Sequence, residues 1–276
     1  MVIFPNAKIN IGLNIIGKRN DGFHDLETIF YPVAVKDVLE IISSKNEADQ
    51  DIIFTSSGNE INVTDKDNLC VKAFHLIKND FPQLPAVKMH LHKHIPIGAG
   101  MGGGSADASS VLLLLDKQFN LNISENKLQE YALKLGSDCP FFIYNKPSFA
   151  AGRGEKLATL NIDLSGCKIL IIHPGIHVKT GEAFKELNYN NFSAPGELQQ
   201  YIQTDIYNWK TCIKNDFEIS VFKKYPEIAA IKSKLYEAGA IYSSMSGSGS
   251  AVFGIFSKDS TAENIKFPPH YFCQLV

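Results

Sequence analysis

The chain lacks what several large classes of protein require. No stretch approaches the 18 or so consecutive apolar residues of a membrane-spanning helix, and the opening, Met1 to Lys8, has no basic head followed by an apolar run of leader length. A cytoplasmic protein that does not act at a membrane is therefore expected. Cysteine is scarce: residues 70, 139, 167, 212 and 273 are odd in number, scattered and never in C-x-x-C spacing, so neither a disulfide framework nor a zinc site is indicated. Charge of neither sign dominates. With a net charge of −2 and 20% charged residues there is no basic footprint for nucleic acid. Low-complexity tracts and internal repeats are absent as well. What remains is an ordinary globular composition, 45% hydrophobic over 276 residues, enough for two cores of about 100 to 150 residues each.

Glycine, by contrast, is concentrated. Between Ile95 and Ala108 the chain reads Ile-Pro-Ile-Gly-Ala-Gly-Met-Gly-Gly-Gly-Ser-Ala-Asp-Ala, with five glycines in the seven residues from Gly98 to Gly104. Glycine surrenders a side chain and loses the most backbone freedom on folding, so such density serves the backbone and not a core. A strand ending near Ile95, a glycine loop and a helix opening at Ser105 would aim N–H groups and the positive end of a helix dipole at one spot, which suits phosphate. A tight turn without a ligand is the plainer alternative, but a turn seldom needs more than one or two residues with positive φ. The loop has no Walker A lysine. Gly98, Gly100 and Gly103 match G-x-G-x-x-G, yet residues 118–121 place no acid where a Rossmann ribose site needs one. The positive charge for a phosphate must come from the dipole, a metal ion or a lysine distant in sequence.

Around this loop the patterning predicts strands at 8–16, 27–35, 37–43 and 52–55, with an Asn-Asp-Gly turn at 20–22 and Pro32 pushing its run toward a sheet edge or a bend. Asp67-Asn68 can cap a helix over 69–79, Ser124 one over 124–135, and polar loops are expected at 44–50 and 190–196. Residues 87–95 alternate, which puts Lys93 on the apolar face and His90, His92 and His94 on the other. Three histidines on one strand face suggest a metal, but same-face Cβ atoms stand roughly 7 Å apart, and a solvated face is the better account. Gly136-Ser137-Asp138-Cys139-Pro140 sets a carboxylate on a turn, either as a cap or at a reacting centre. A change of character at 161–165 marks a boundary between domains 1–160 and 161–276. Beyond it come a strand at 168–173, helices at 180–184, 197–201, 217–224 and 227–238, and strands at 240–245 and 251–256 around Ser246-Gly247-Ser248-Gly249-Ser250.

Four separated segments, Pro5-Asn6-Ala7-Lys8-Ile9-Asn10, the glycine loop, Gly136-Ser137-Asp138 and Gly247-Ser248-Gly249-Ser250-Ala251-Val252-Phe253, resemble in order and spacing those of the GHMP kinases. A fifth, from Lys18 to Thr28, resembles the K-R-x-D-G-[YF]-H stretch of the branch that phosphorylates a cytidine-diphosphate alcohol in the non-mevalonate isoprenoid route. The resemblance implies an α+β fold of two domains with the active site in the cleft between them, ATP with Mg²⁺ as phosphoryl donor, and a cytidine-diphosphate substrate. It implies Asp138 as acceptor of the hydroxyl proton, with Lys8 beside it. Pro96, Gly98, Gly100, Gly102, Gly103, Gly104 and Ser105 would hold the triphosphate, and Asn68, Leu69 and Lys93 would lie on the adenine side. Phe23 and Phe184 would sandwich the cytosine, His24 would bond its polar edge, and Asn10, Tyr31 and Thr180 would line the rest of the substrate. Phe23 stands where Tyr is commoner, which keeps the stacking face and removes a hydroxyl. A homoserine or mevalonate-type kinase, or an inactive nucleotide-binding regulator, are the alternatives; Phe23-His24 argues against the first and the retention of Lys8 and Asp138 against the second.

Overall fold

The computed structural model describes residues 1–44, 51–64, 66–186 and 193–276. Most of the loop expected at 44–50, and the start of that at 190–196, lie outside them. The chain forms two compact units. The first gathers Met1–Ala7, Ala34–Ile97 and Gly102–Asn145, the second Lys8–Val33, Gly98–Met101 and Lys146–Val276. The units are interleaved along the chain, so the division into 1–160 and 161–276 is a cut in sequence and not the outline of either.

In the first unit Val2–Ile3, Val38–Ser43, Val87–Lys93 and Ile52–Gly58 lie side by side in that order; the last pair is parallel and the others antiparallel. The alternation of Val87–Lys93 decides its facing: Val87, Met89 and Leu91 are buried while Lys88 and His92 are exposed. Its histidines bond hydroxyls of the neighbouring strand, His90 to Thr55 and Ser57 and His92 to Ser57. Helices Leu69–Asp80, Gly103–Phe119, Glu125–Leu135 and Cys139–Tyr144 supply Phe74, Ile77, Val111, Leu112, Leu115 and Tyr131 to one core with these strands. The caps work as the sequence predicts: Asn68 accepts from the Cys70 N–H, Ser124 from that of Lys127, and Gly136 ends its helix. The glycine-loop helix differs, opening at Gly103 and not at Ser105, because Gly102 takes the cap position with φ +69° and turns the chain two residues earlier.

The second unit holds two four-stranded sheets. Asn6–Lys18, which begins in the first unit, is followed across one sheet by His24–Lys36, Ser148–Gly152 and Lys156–Thr159. Pro32 lies past Phe30, the last residue paired with Ser148–Gly152, so its missing N–H breaks no bond of that ladder. The other sheet runs Tyr242–Met245, Val252–Ser257, Cys167–His173, Phe272–Leu275, all antiparallel. Helices Glu197–Tyr201, Glu218–Lys224 and Pro226–Glu237 fall within a residue of expectation, and Leu13, Ile15, Ile172, Phe217, Ile228, Val252 and Phe256 share a core. Several elements have no strong sequence signal, among them the hairpin Ser148–Gly152 with Lys156–Thr159, the helix Trp209–Cys212 and the final strand Phe272–Leu275. Each is short, and for the strands the pairing partner rather than local pattern fixes it.

Candidate active site

The glycine loop divides by conformation. Gly98, Gly100 and Gly102 have φ of +68°, +79° and +69°, a region that L side chains rarely enter, whereas Gly103 and Gly104 are helical. No side chain caps the helix Gly103–Phe119, so its opening N–H groups, which have no acceptor within the helix, make no side-chain cap bond. A Cβ on Gly100 would stand 2.0 Å from the Ser246 carbonyl oxygen, and one on Gly98 2.8 Å from Nδ1 of His177. Gly103 is small for another reason: a Cβ there would meet Lys93 Nζ at 2.8 Å and Ile95 Cγ2 at 2.9 Å. Gly104 is open, with nothing nearer than 3.9 Å. Pro96, half-buried, leads into the loop.

Within the second unit the loop is clasped by two segments far away in sequence. Lys8 and Asn10 share a face of Asn6–Lys18, and Lys8, only 3% exposed, donates to Asn10 Oδ1 (2.5 Å) and to the Gly100 carbonyl (2.9 Å), with Nζ 5.0 Å from the Phe30 ring centroid. Asn10 Nδ2 donates to Thr28 Oγ1 (2.9 Å), which itself donates to the Gly12 carbonyl (2.6 Å). Ser246 Oγ donates to the Gly100 carbonyl (2.9 Å), and the Ala251 N–H to that of Ala99 (3.1 Å). Thus the glycine-serine turn is a hairpin connection and also a buttress of the loop. Asn215 and Glu218 hold this turn, and no motif announces them. Asn215 Nδ2 donates to the carbonyls of Met245 and Gly247 (2.8 Å each); Glu218 accepts from the Met245 N–H (2.8 Å), Ser244 Oγ (3.1 Å) and Lys232 Nζ (2.6 Å).

In the first unit Asp138 occupies the position before the helix Cys139–Tyr144 without making a side-chain cap bond, so the capping account of this carboxylate fails. Ser109 Oγ donates to the Cys139 carbonyl (2.8 Å), which ties the loop helix to the start of the helix that Asp138 precedes. Burial pushes the Cys139 thiol up to about 11, so it stays protonated and inert. Lys93, expected on the adenine side, is engaged in a buried ion cluster. Its ammonium, 4% exposed, is held by Asp37 and by Asp107 (2.7 Å), while Asp37 also accepts the N–H groups of His94 (2.6 Å) and Ile95 (2.8 Å). Lys93 is thus spent on tying the strand end to the loop helix. Asn68 is likewise occupied as a helix cap, with Leu69 reaching toward Gly104.

The two aromatic residues expected around the cytosine differ in their surroundings. Phe23 is 53% exposed on its turn, whereas Phe184 stacks on His24 with centroids 4.6 Å apart and packs edge-on against Phe217 at 4.8 Å. His24 thus covers one face of Phe184. Burial, with Lys18 nearby, lowers the His24 pKa and keeps the ring neutral at pH 7. The Tyr31 hydroxyl accepts from the Leu164 N–H (3.2 Å) and is engaged there; Thr180 Oγ1 bonds Ser248 Oγ (2.8 Å), joining the helix Thr180–Lys185 to the glycine-serine turn.

The segment 68–146 matches the model for the GHMP kinases N terminal domain, and 184–267 that for the GHMP kinases C terminal domain. A Bacteroides fragilis protein described as 4-diphosphocytidyl-2-C-methyl-D-erythritol kinase is 48% identical over 269 residues, covering 97% of this chain and 96% of its own. The chain belongs to the GHMP kinases, in the 4-diphosphocytidyl-2-C-methyl-D-erythritol kinase family. Another member of that family, from Cytophaga hutchinsonii, is 46% identical over 258 residues, 93% of each chain. A crystal structure of a 4-(cytidine 5'-diphospho)-2C-methyl-D-erythritol kinase superposes with a TM-score of 0.79 at 29% identity over 92% of this chain and 90% of that one. A homoserine kinase from Cytophaga hutchinsonii shares the GHMP kinase fold at TM-score 0.68 and 15% identity, over 98% and 94% of the two chains. The expected α+β GHMP kinase fold is the one observed. Among the described residues no helix is long and apolar enough to cross a membrane.

Proposed function

We propose that this chain transfers the γ-phosphoryl group of ATP to the 2-hydroxyl of 4-diphosphocytidyl-2-C-methyl-D-erythritol, a step of non-mevalonate isoprenoid precursor synthesis. The observation that carries the reading is the buried Lys8 ammonium bonded to the carbonyl of Gly100, because it brings a cation to a phosphate loop that has no lysine of its own. The uncapped helix start and the left-handed glycines before it fit a triphosphate. Mg²⁺ on those phosphates would neutralise charge that builds during transfer, and the Ser105 hydroxyl at the helix start would help to hold it. Asp138 takes the proton of the attacking hydroxyl. A carboxylate is a weak base, so the proton passes as the phosphoryl group departs and the oxygen acidifies, and a lysine near that oxygen lowers its basicity further. Both groups position and neutralise; phosphoryl transfer asks little else of a protein.

The test is ATP consumption with cytidine-diphosphate alcohols and homoserine, which separates this reading from a homoserine-type kinase. Asp138→Asn keeps size and hydrogen bonding but accepts no proton, so ligands should bind while kcat falls about 100-fold to 10,000-fold. Lys8→Met should also slow turnover, and the double variant should be hardly worse than the poorer single one if the two act as a unit. A well-folded Asp138→Asn variant with near-normal kcat would end the assignment.

A further inference from the structure

A second cation lies beside the turn that carries Phe23, and neither the motifs nor the family resemblance assigns it a role. Arg153 sits on the turn between Ser148–Gly152 and Lys156–Thr159, and its guanidinium lies over the Phe23 ring, 4.8 Å from the centroid. The register places it there. Gly152 pairs with Leu26, so the residue that follows emerges beside the turn carrying Phe23 and His24. The turn is built to hold this position: Gly152 and Gly154 adopt φ of +71° and +105°, the Gly154 N–H donates to the Ala151 carbonyl (3.1 Å), and the Glu155 carboxylate accepts the Arg153 N–H (2.6 Å). A Cβ on Gly152 would lie 2.9 Å from Glu155 Oε1, so the glycine makes room for that anchor.

Two arginines approach this turn, and they differ. Arg19 is consumed by Asp21 (3.1 Å) and Asp25 (2.9 Å), an exposed network that shapes the loop together with the Phe23 N–H bond to Asp21 (3.1 Å). Among the described residues no carboxylate lies within ion-pair distance of Arg153, although its charge reaches Asp21 and helps lower the pKa of that residue. A guanidinium stacked on a ring keeps its in-plane N–H donors for another acceptor, and their fork matches two oxygens of a phosphate. An exposed aromatic face with such a cation beside it suits a ligand that carries a base next to a phosphate.

Resting on the cytidine-diphosphate reading above, we propose that Arg153, placed over the Phe23 ring, determines specificity by binding the diphosphate of the substrate. It touches no reacting atom. Calorimetric binding of cytidine, CMP and CDP to the wild-type chain, Arg153→Gln and Arg153→Lys tests it. In the wild type affinity should rise from cytidine to CDP; Arg153→Gln should bind CDP about 10-fold to 100-fold more weakly while cytidine changes little, and Arg153→Lys should recover part of the loss. CDP affinity unchanged in Arg153→Gln, or cytidine and CDP weakened equally, overturns the diphosphate role. A wild-type chain that binds none of the three overturns the reading of the site itself, and this assignment with it.

Discussion

The two halves of the glycine loop look alike in sequence and do different work. From Gly98 to Gly102 alternate glycines take positive φ, and the backbone of this stretch is clasped by Lys8, Ser246 and Ala251. Gly103 and Gly104 are ordinary helical residues; one leaves room for Lys93 and Ile95, and the other faces open space. The first half needs glycine for conformation and close approach, the second for packing at one residue and for access at the next. A run of one amino acid therefore hides three physical demands, and substitution separates them.

Gly100→Ala should do most harm, because it forces an alanine to φ +79° and drives its Cβ into the Ser246 carbonyl, backbone that cannot swing aside. A loss of about 3 kcal/mol or more in chemical denaturation, with ATP binding abolished, is expected. Retention of normal stability would mean that the hairpin turn is not a buttress. Gly103→Ala meets the Lys93 ammonium, which two buried carboxylates hold in place, and an isoleucine methyl, so about 1 to 3 kcal/mol of overpacking is expected, read from the same denaturation curves. Gly103→Val should exceed it, by crowding and not by backbone conformation.

The ion cluster below Gly103 offers a pH test. Asp107 is 2% exposed, its Oδ1 has no partner among the described residues, and burial, reinforced by Asp37 and opposed by Lys93, pushes its pKa up to about 7. An acid whose folded pKa lies above its unfolded value holds more protons when folded, so its contribution to stability falls as pH rises between the two values, here from about 4 to about 7, and is constant above. Asp107→Asn has no such proton to lose. Its Tm relative to wild type should therefore climb from pH 4 to 7 and then level off; a difference independent of pH would show that Asp107 is ionised throughout. Gly104→Ala should have the smallest effect on stability, a gain of about 0.5 to 1 kcal/mol from removing a helical glycine. If phosphate approaches this N–H closely, ATP affinity should drop in spite of that gain.

Periodicity, caps and turn residues were enough to locate the major elements. The Asn68 and Ser124 caps, the alternation of 87–93 and the terminal Gly136 are local effects, determined by residues within a turn or two of one another. The glycine loop and the resemblance of five segments to one family were equally legible, since each is a contiguous run. What the sequence did not disclose depends on distant residues meeting. Asn215 and Glu218 carry no signature until the strand they support is beside them, and Arg153 none until sheet register sets it over Phe23. Lys93 reads as a cation for a ligand because alternation gives its face but not its partners; two buried carboxylates, 56 and 14 residues away, claim it. In the same way Phe23 and Phe184 read as a matched pair until packing put His24 on one of them. Local free energies determined which residues form strands, caps and glycine turns. Tertiary structure decided which charges are neutralised and which aromatic faces stay open, because a buried charge or ring must find its partner wherever the fold brings one.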